Sequence, residues 1–430
     1  MSNLNSTKYT EFENLLFEGN PFISAIQPSV LKEEALCGAL NKRIYMASGF
    51  AEGTKQDKEL ALEKSSFVIP PQGYAIYIRI IQLIRMGYLN RNPATNDYDK
   101  YLHEAGLEAP MPENLNDSGT SMLFRGPSGV GKTQLTNRLL STLPSVVTHD
   151  SSQLTGHRSI KQVLWVKIDM EVVGTRAGLI TAIAEELDKR LQIRFAPRID
   201  KLKHLTNKRH ALIKYCRMAC LGLLVIDDAQ WALKKYKTDD DRKVSNEFIE
   251  QLFNQLGVPM VFIITPDVDS LKSMKGTTTR RIAHNGNYEE QPYKSNEVFW
   301  TGLIEIYFTK FLLVPQTYLD DKFFNCIYYY TDGNVGALKK IVADFLQRDL
   351  PEYSSLLKCI DVAYRNTKKE LEELKLPFET VTKSTGKKLD TVLNTYEKKP
   401  QIRETTEKEL TIAERAKRAM QQHSGGESHD

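Results

Sequence analysis

GPSGVGKT, Gly126 to Thr133, follows the apolar stretch MLF and precedes QLTNRLLSTL, a segment of helical period. Glycines at 126, 129 and 131 let the backbone turn its N–H groups outward, and the strand-to-helix setting puts those groups at a helix N-terminus, where phosphate oxygens are favoured. Lys132 is expected to reach the outer phosphates and Thr133 to offer its hydroxyl to magnesium. Gly126, Pro127, Ser128, Gly129, Val130, Gly131, Lys132 and Thr133 are thus the expected cofactor-binding loop. The plainer alternative is a Gly-rich turn that happens to carry Lys and Thr.

A second element supports the first. LGLLVIDDAQ, residues 221–230, is an apolar run that ends in two carboxylates. Apolar side chains in unbroken succession suit a strand buried on both faces, whose carboxyl end would deliver Asp227 to the metal. Asp228 then stands where a general base would orient water, with Gln230 near enough for a polar contact. A helix N-cap is the alternative role for Asp228. VPMVFIIT ends in Thr265, a candidate polar sensor of the γ-phosphate, with an ordinary strand-ending Thr as its alternative. Arg280 and Arg281 supply a guanidinium that could stabilise charge at a neighbouring subunit's γ-phosphate, or contact DNA phosphate, or lie in solvent. After Gly333, Lys339 and Lys340 occupy the region where a second cationic sensor is expected, and Lys340 is the one assigned to the cofactor. ATP and Mg2+ are the cofactors this set calls for.

Strands at MLFRG, VLWVKID, LGLLVID and VPMVFIIT, separated by helical periods, predict an α/β fold in which a parallel sheet is flanked by helices. Four segments are expected: an N-terminal extension over 1–115, an α/β nucleotide-binding core over 116–287, a small helical lid over 288–365, and a charged tail over 366–430. Within the extension, a helix is expected from Gly73 to Gly87, closed by the turn GYLNRNP. The tail is rich in Lys, Glu and Thr and poor in large apolar groups, so it should be largely disordered when unbound.

The 430 residues carry a formal net charge of only +4, so affinity for nucleic acid has to come from clustered cations. Such a cluster exists. From Asp188 to Arg217, cations stand at 189, 190, 194, 198, 201, 203, 208, 209, 214 and 217 against two acids. Lys189, Arg190, Arg194, Lys201, Lys203, Lys208 and Arg209 are assigned to the DNA backbone from this run, joined by Arg176 in the loop after VLWVKID. Sparse aromatics favour duplex over stacked single strands, and a solvated amphipathic helix is the alternative. The five cysteines are odd in number and scattered, so buried thiols are expected rather than disulfides or a metal site. With no apolar run of about twenty residues and no secretory layout at the start, a cytoplasmic protein without membrane contact is expected.

Taken in order, NPF at 20–22, GYLNRNP, GPSGVGKT, VKID, LGLLVIDDAQ, GVPMVFIITP and the Arg pair resemble the TnsC-type AAA+ regulators of seven-type transposons, and more distantly the TniB and IstB-like ATPases. The likeness spans roughly residues 20–345. It implies an AAA+ ATPase that forms ATP-dependent rings or helical filaments on double-stranded DNA, with hydrolysis driving release. It also implies a target selector of the TnsD/TniQ type on one side, contacted by the N-terminal extension, and the TnsA/TnsB transposase on the other. The resemblance puts nucleotide roles on Lys132, Thr133, Asp227, Asp228 and Thr265. Asp228 departs from the Glu of the relatives, and one methylene less of reach implies either a water held differently or slow hydrolysis, which would suit a timer more than a motor. Two other classes compete: a helicase loader of the IstB or DnaC kind, and a P-loop kinase or signalling ATPase that ignores nucleic acid.

Overall fold

In the computed structural model, the described residues are 16–48, 54–95, 120–150, 159–170, 175–230, 255–265, 283–346, 356 and 358–365. Seven strands are present among them: β1 (Ser121–Arg125), β2 (Val146–His149), β3 (Ile160–Val163), β4 (Val166–Asp169), β5 (Leu224–Asp227), β6 (Met260–Ile264) and β7 (Asn287–Glu289). Five form one sheet in the order β4-β5-β6-β1-β7, and every pairing in it is parallel. Parallel neighbours need crossovers, which is why the strands alternate with helices along the chain. β5 and β6 are buried at every position, as their unbroken apolar sequence predicts.

Two differences from expectation have clear causes. VLWVKID is not one strand: Leu164 and Trp165 separate β3, which pairs antiparallel with β2, from β4, which pairs with β5. β7 was not expected at all, because its three residues are polar or half-exposed and only its register against β1 defines it.

The chain packs as two compact units. The first takes its described residues from Met1–Val30, Ala75–Gly126 and Thr136–Glu289 and contains the sheet. Its largest core joins β3 to β6 with the helices Arg176–Leu191 and Leu205–Met218, through Leu179, Ile183, Leu187, Leu212 and Cys216. The helix expected over 73–87 runs from Gly73 to Tyr88, and its end is bound into this unit. Asn20 caps the short helix Pro21–Ser24 by accepting from Phe22 N–H, and its Nδ2 donates to Tyr88 O at 2.8 Å. The Tyr88 hydroxyl donates to Cys220 O at 2.6 Å, and Arg91 donates to Leu221 O at 2.7 Å. NPF and GYLNRNP, far apart in sequence, therefore form one bracket that grips the entrance to β5. Gly87 and Gly222 are required there, because a Cβ would stand 2.5 Å from the Pro259 ring and 2.7 Å from Leu164 O respectively.

The second unit draws its described residues from Leu31–Tyr74, Pro127–Leu135 and Glu290–Asp430. Its core is aromatic: Trp300, Tyr307, Phe308, Phe323 and Phe345 pack with Leu338 and Ile341. The helices Val298–Ile306, Asp321–Thr331 and Val335–Leu346 lie within the stretches expected to be helical. The first widens into a π-helical turn at Tyr307–Phe311. Asp320 caps the second by accepting from Phe323 N–H at 2.8 Å. From the N-terminal segment, Ala61 and Leu62 of the helix Lys55–Ser65 join this core, and Tyr307 donates to Ser66 O at 2.9 Å.

Candidate functional site

β1 leads directly into the GPSGVGKT loop, and the helix Lys132–Ser141 begins on its lysine. Gly129 and Gly131 have φ of 82° and 96°, left-handed values that side chains resist, so the glycines are conformational requirements. A Cβ at Gly131 would meet no atom within 4 Å, which leaves an open cradle on that side of the loop. Lys132 is buried and folds back so that its Nζ donates to Pro127 O at 2.8 Å, closing the loop on itself. Thr133 stands exposed at the helix start. This geometry fits a polyphosphate: N–H groups at a helix start, one lysine ammonium and a hydroxyl.

Within the second unit, the start of the helix Val335–Leu346 holds the loop. Asn334 Nδ2 donates to Ser128 O at 2.9 Å, and Gly336 N–H donates to Gly129 O at 2.8 Å. Asn334 Oδ1 also accepts from Ala337 N–H, so the side chain that caps the helix Val335–Leu346 also clips the loop. Lys339 reaches Gln134 Oε1 at 3.3 Å, and Lys340 is half-buried on the same helix. Glu290, in the same unit, accepts from the Tyr293 hydroxyl at 2.6 Å and from Gln72, and burial pushes its carboxyl above the usual range while Lys132 pulls it down.

At the carboxyl edge of the sheet, Asp227 is 1% exposed and pairs with Lys167 Nζ at 2.7 Å. Lys167 lies opposite Val225 in the β4–β5 register, one diagonal step from the acid. A carboxylate is the hard oxygen donor that Mg2+ takes, and here Lys167 holds its Oδ2. Asp228 follows in a left-handed conformation, φ 50°, and its N–H donates to Asp227 Oδ1 at 3.0 Å. Asp tolerates this region better than most residues. Gln230 donates from Nε2 to Asp228 Oδ1 at 3.0 Å and accepts from Thr265 N–H at 3.1 Å. Thr265 thus stands beside the acid pair, joined to it through Gln230. The contacts of Gln230 to Thr265 and of Asn334 to the loop were beyond sequence reasoning, since each joins residues far apart in the chain.

The cationic segment forms three helices, Arg176–Leu191, Ala196–Asp200 and Leu205–Met218. Asp188 organises them by accepting from Phe195 N–H, Ala196 N–H and the Tyr215 hydroxyl. Arg194, Arg198, Lys201 and Lys203 are exposed. Lys189 is exposed too but pairs with Glu186 at 2.5 Å. Arg190 pairs with the same Glu at 2.6 Å and lies 4.6 Å over the Trp165 ring, and Lys208 pairs with Asp200 at 3.0 Å. Both of these side chains are only 12% exposed. Arg176 opens its helix behind the Thr175 cap, and Arg209 is half-buried. Arg280 and Arg281 lie outside the described residues.

Residues 116–271 match the AAA domain family. The fold is that of an AAA+ P-loop protein, a parallel sheet of five strands flanked by helices. That fold implies nucleotide binding, usually with Mg2+. Solved structures similar to the chain include the Walker-type ATPase of Pyrococcus abyssi (18% identity, 65% of this chain and 75% of that one, TM-score 0.36). Two more are Cdc6p from Pyrobaculum aerophilum (17%, 65% and 66%, 0.34) and the ORC2 protein of Aeropyrum pernix in ADPNP–ADP complexes (14%, 62% and 65%, 0.36). No curated protein matches. None of the five cysteines is in a disulfide, and no group of three or more His, Cys, Asp or Glu suited to a metal occurs among the described residues. No helix among them is long and apolar enough to cross a membrane.

Proposed function

We propose that the AAA+ domain binds and hydrolyses ATP with Mg2+, and that its nucleotide state governs assembly of the chain on duplex DNA as a regulator of transposition. The observation that carries the reading is the phosphate loop: left-handed glycines at 129 and 131, a buried Lys132 and a helix that begins on it. Lys132 and the loop N–H groups hold the phosphates, Thr133 and Asp227 hold the metal, and Asp228 orients water toward the γ-phosphate. Mg2+, when bound, neutralises charge that builds on the phosphate oxygens. Arg280 or Arg281 of one subunit is the finger for its neighbour's nucleotide, which makes ATP a condition of oligomer formation.

The DNA role rests on the exposed cations Arg194, Arg198, Lys201 and Lys203 and on the ordered motifs shared with TnsC-type regulators. Contacts to phosphates alone give affinity that falls steeply with salt and carries little sequence preference. In this reading the filament or ring accepts a TnsD/TniQ-type selector and hands the site to a TnsA/TnsB-type transposase, and hydrolysis releases the DNA. The test is duplex binding measured with ATP, a nonhydrolysable analogue and ADP across a salt series. The reading expects tight, salt-sensitive binding with ATP and its analogue and weak binding with ADP. Equal affinity in all three states would sink the switch, and binding that ignores salt would sink the phosphate-contact surface.

A further inference from the structure

Beyond the acid pair, one neutral side chain spans the ends of two strands. Gln230 donates from Nε2 to Asp228 Oδ1 at 3.0 Å, while its Oε1 accepts from the N–H of Thr265 at 3.1 Å. A primary amide is the side chain that can donate at one end and accept at the other within one rigid plane. The backbone around it is equally constrained. Asp228 sits in the left-handed region, its N–H is held by Asp227 Oδ1, and the next N–H, of Ala229, donates to Ile263 O at 2.9 Å. The peptide carrying the two acids is therefore pinned to β6 by a backbone bond, and the Asp228 carboxylate is pinned to the end of β6 by the amide.

From this geometry we infer that Gln230 is a positioning residue for ATP hydrolysis: it fixes the direction of the Asp228 carboxylate and makes that direction follow the position of Thr265. The inference rests on the ATPase reading given above. Its physical reason is reach. Aspartate has one methylene less than glutamate and a left-handed backbone to start from, so its carboxylate has few ways to face an attacking water. Locking one oxygen on Gln230 leaves the other to accept the proton. Because the amide's far end is held by Thr265 N–H, a displacement at the end of β6 turns the amide and with it the carboxylate. Misplacement of a catalytic group by about 1 Å lowers a rate by up to about a hundredfold.

The test compares Gln230→Ala and Gln230→Glu with wild type and Asp228→Asn, using the full chain with MgATP. Steady-state hydrolysis, equilibrium binding of MgATP and the pH profile of kcat are measured together. Gln230→Ala is expected to lower kcat by about ten- to a hundredfold, with KM and MgATP affinity within about twofold of wild type. Gln230→Glu keeps the length of the side chain but sets a second carboxylate against Asp228, so the acid limb of the kcat profile should move to higher pH. Wild-type kcat in Gln230→Ala alongside an inactive Asp228→Asn would overturn the positioning role and leave the ATPase reading intact. So would a loss of kcat in Gln230→Ala matched by an equal loss of MgATP affinity, which marks a strut rather than a positioner. If Gln230→Ala does not fold, Gln230→Glu decides: an acid limb identical to wild type overturns the inference. Hydrolysis by Asp228→Asn at the wild-type rate would defeat the reading on which the inference stands.

Discussion

Gly336 should refuse a methyl group although helices ordinarily welcome one. Replacing glycine by alanine inside a helix stabilises by up to about 1 kcal/mol through backbone entropy. At Gly336 a Cβ would stand 3.0 Å from Gly129 Cα, 3.1 Å from Gly129 O and 3.2 Å from Asn334 Oδ1. Two of these atoms are backbone of the phosphate loop. The third belongs to a side chain tied by bonds to Ala337 N–H and Ser128 O. None is the free end of a flexible side chain, so the helix start must draw back from the loop. That lengthens the 2.8 Å bond from Gly336 N–H to Gly129 O and the 2.9 Å bond from Asn334 to Ser128 O. Two bonds at about 1 kcal/mol each, with overpacking of about 1–3 kcal/mol, outweigh the entropic gain. The net destabilisation of Gly336→Ala is therefore about 2–4 kcal/mol, and because the loop moves with it, ATP affinity falls by about tenfold, the equivalent of 1.4 kcal/mol. Scanning calorimetry and titration with a fluorescent ATP analogue measure both. Gly38→Ala serves as the control, since that helical glycine has nothing within 4 Å of its added Cβ and should gain stability. If Gly336→Ala matched Gly38→Ala in stability and kept full ATP affinity, the clip between helix and loop would be refuted.

Other perturbations follow from the first unit. Tyr88→Phe removes the donor that satisfies Cys220 O and should cost about 1–3 kcal/mol in urea unfolding, because the carbonyl it leaves is buried; an unchanged midpoint would contradict the bracket role of GYLNRNP. His149 is fully buried, bonded to Gln162 at 2.8 Å, and burial holds its pKa below the ordinary 6.5. Below pH 6.5 the unfolded chain takes up a proton that the folded imidazole refuses, so stability present above that pH is lost as pH falls toward the folded value. His149→Gln should flatten this part of the stability profile, and an identical slope in variant and wild type would remove His149 as its source. Burial pushes the thiols of Cys216 and Cys326 up to about 12, so neither should alkylate at pH 8 until the chain unfolds; rapid labelling in the native state would contradict their burial.

The GPSGVGKT turn was legible because its backbone needs glycine where the sequence places it. Glycine at 129 and 131 is written into the sequence and reappears as left-handed φ. β5 and β6 were legible as unbroken apolar runs, since a parallel strand covered on both faces has no polar side to show. β7 was not, because a short edge strand with exposed Asn287 and Glu289 carries no hydrophobic period and exists through its partner β1. The cationic run from 188 to 217 could be counted, but its division into exposed residues such as Arg194 and Lys201 and paired ones such as Arg190 and Lys208 depends on tertiary neighbours. The same holds for Asn334, whose bond to Ser128 only the folded unit reveals.

The central claim is that the loop from Gly126 to Thr133 takes ATP with its lysine. Equilibrium binding of MgATP to the full chain, wild type against Lys132→Ala, measures it directly. Saturable binding in wild type, lost by at least about a hundredfold in Lys132→Ala while the melting temperature without nucleotide is kept, is the result expected. Equal binding by both proteins, or none by wild type, would contradict it.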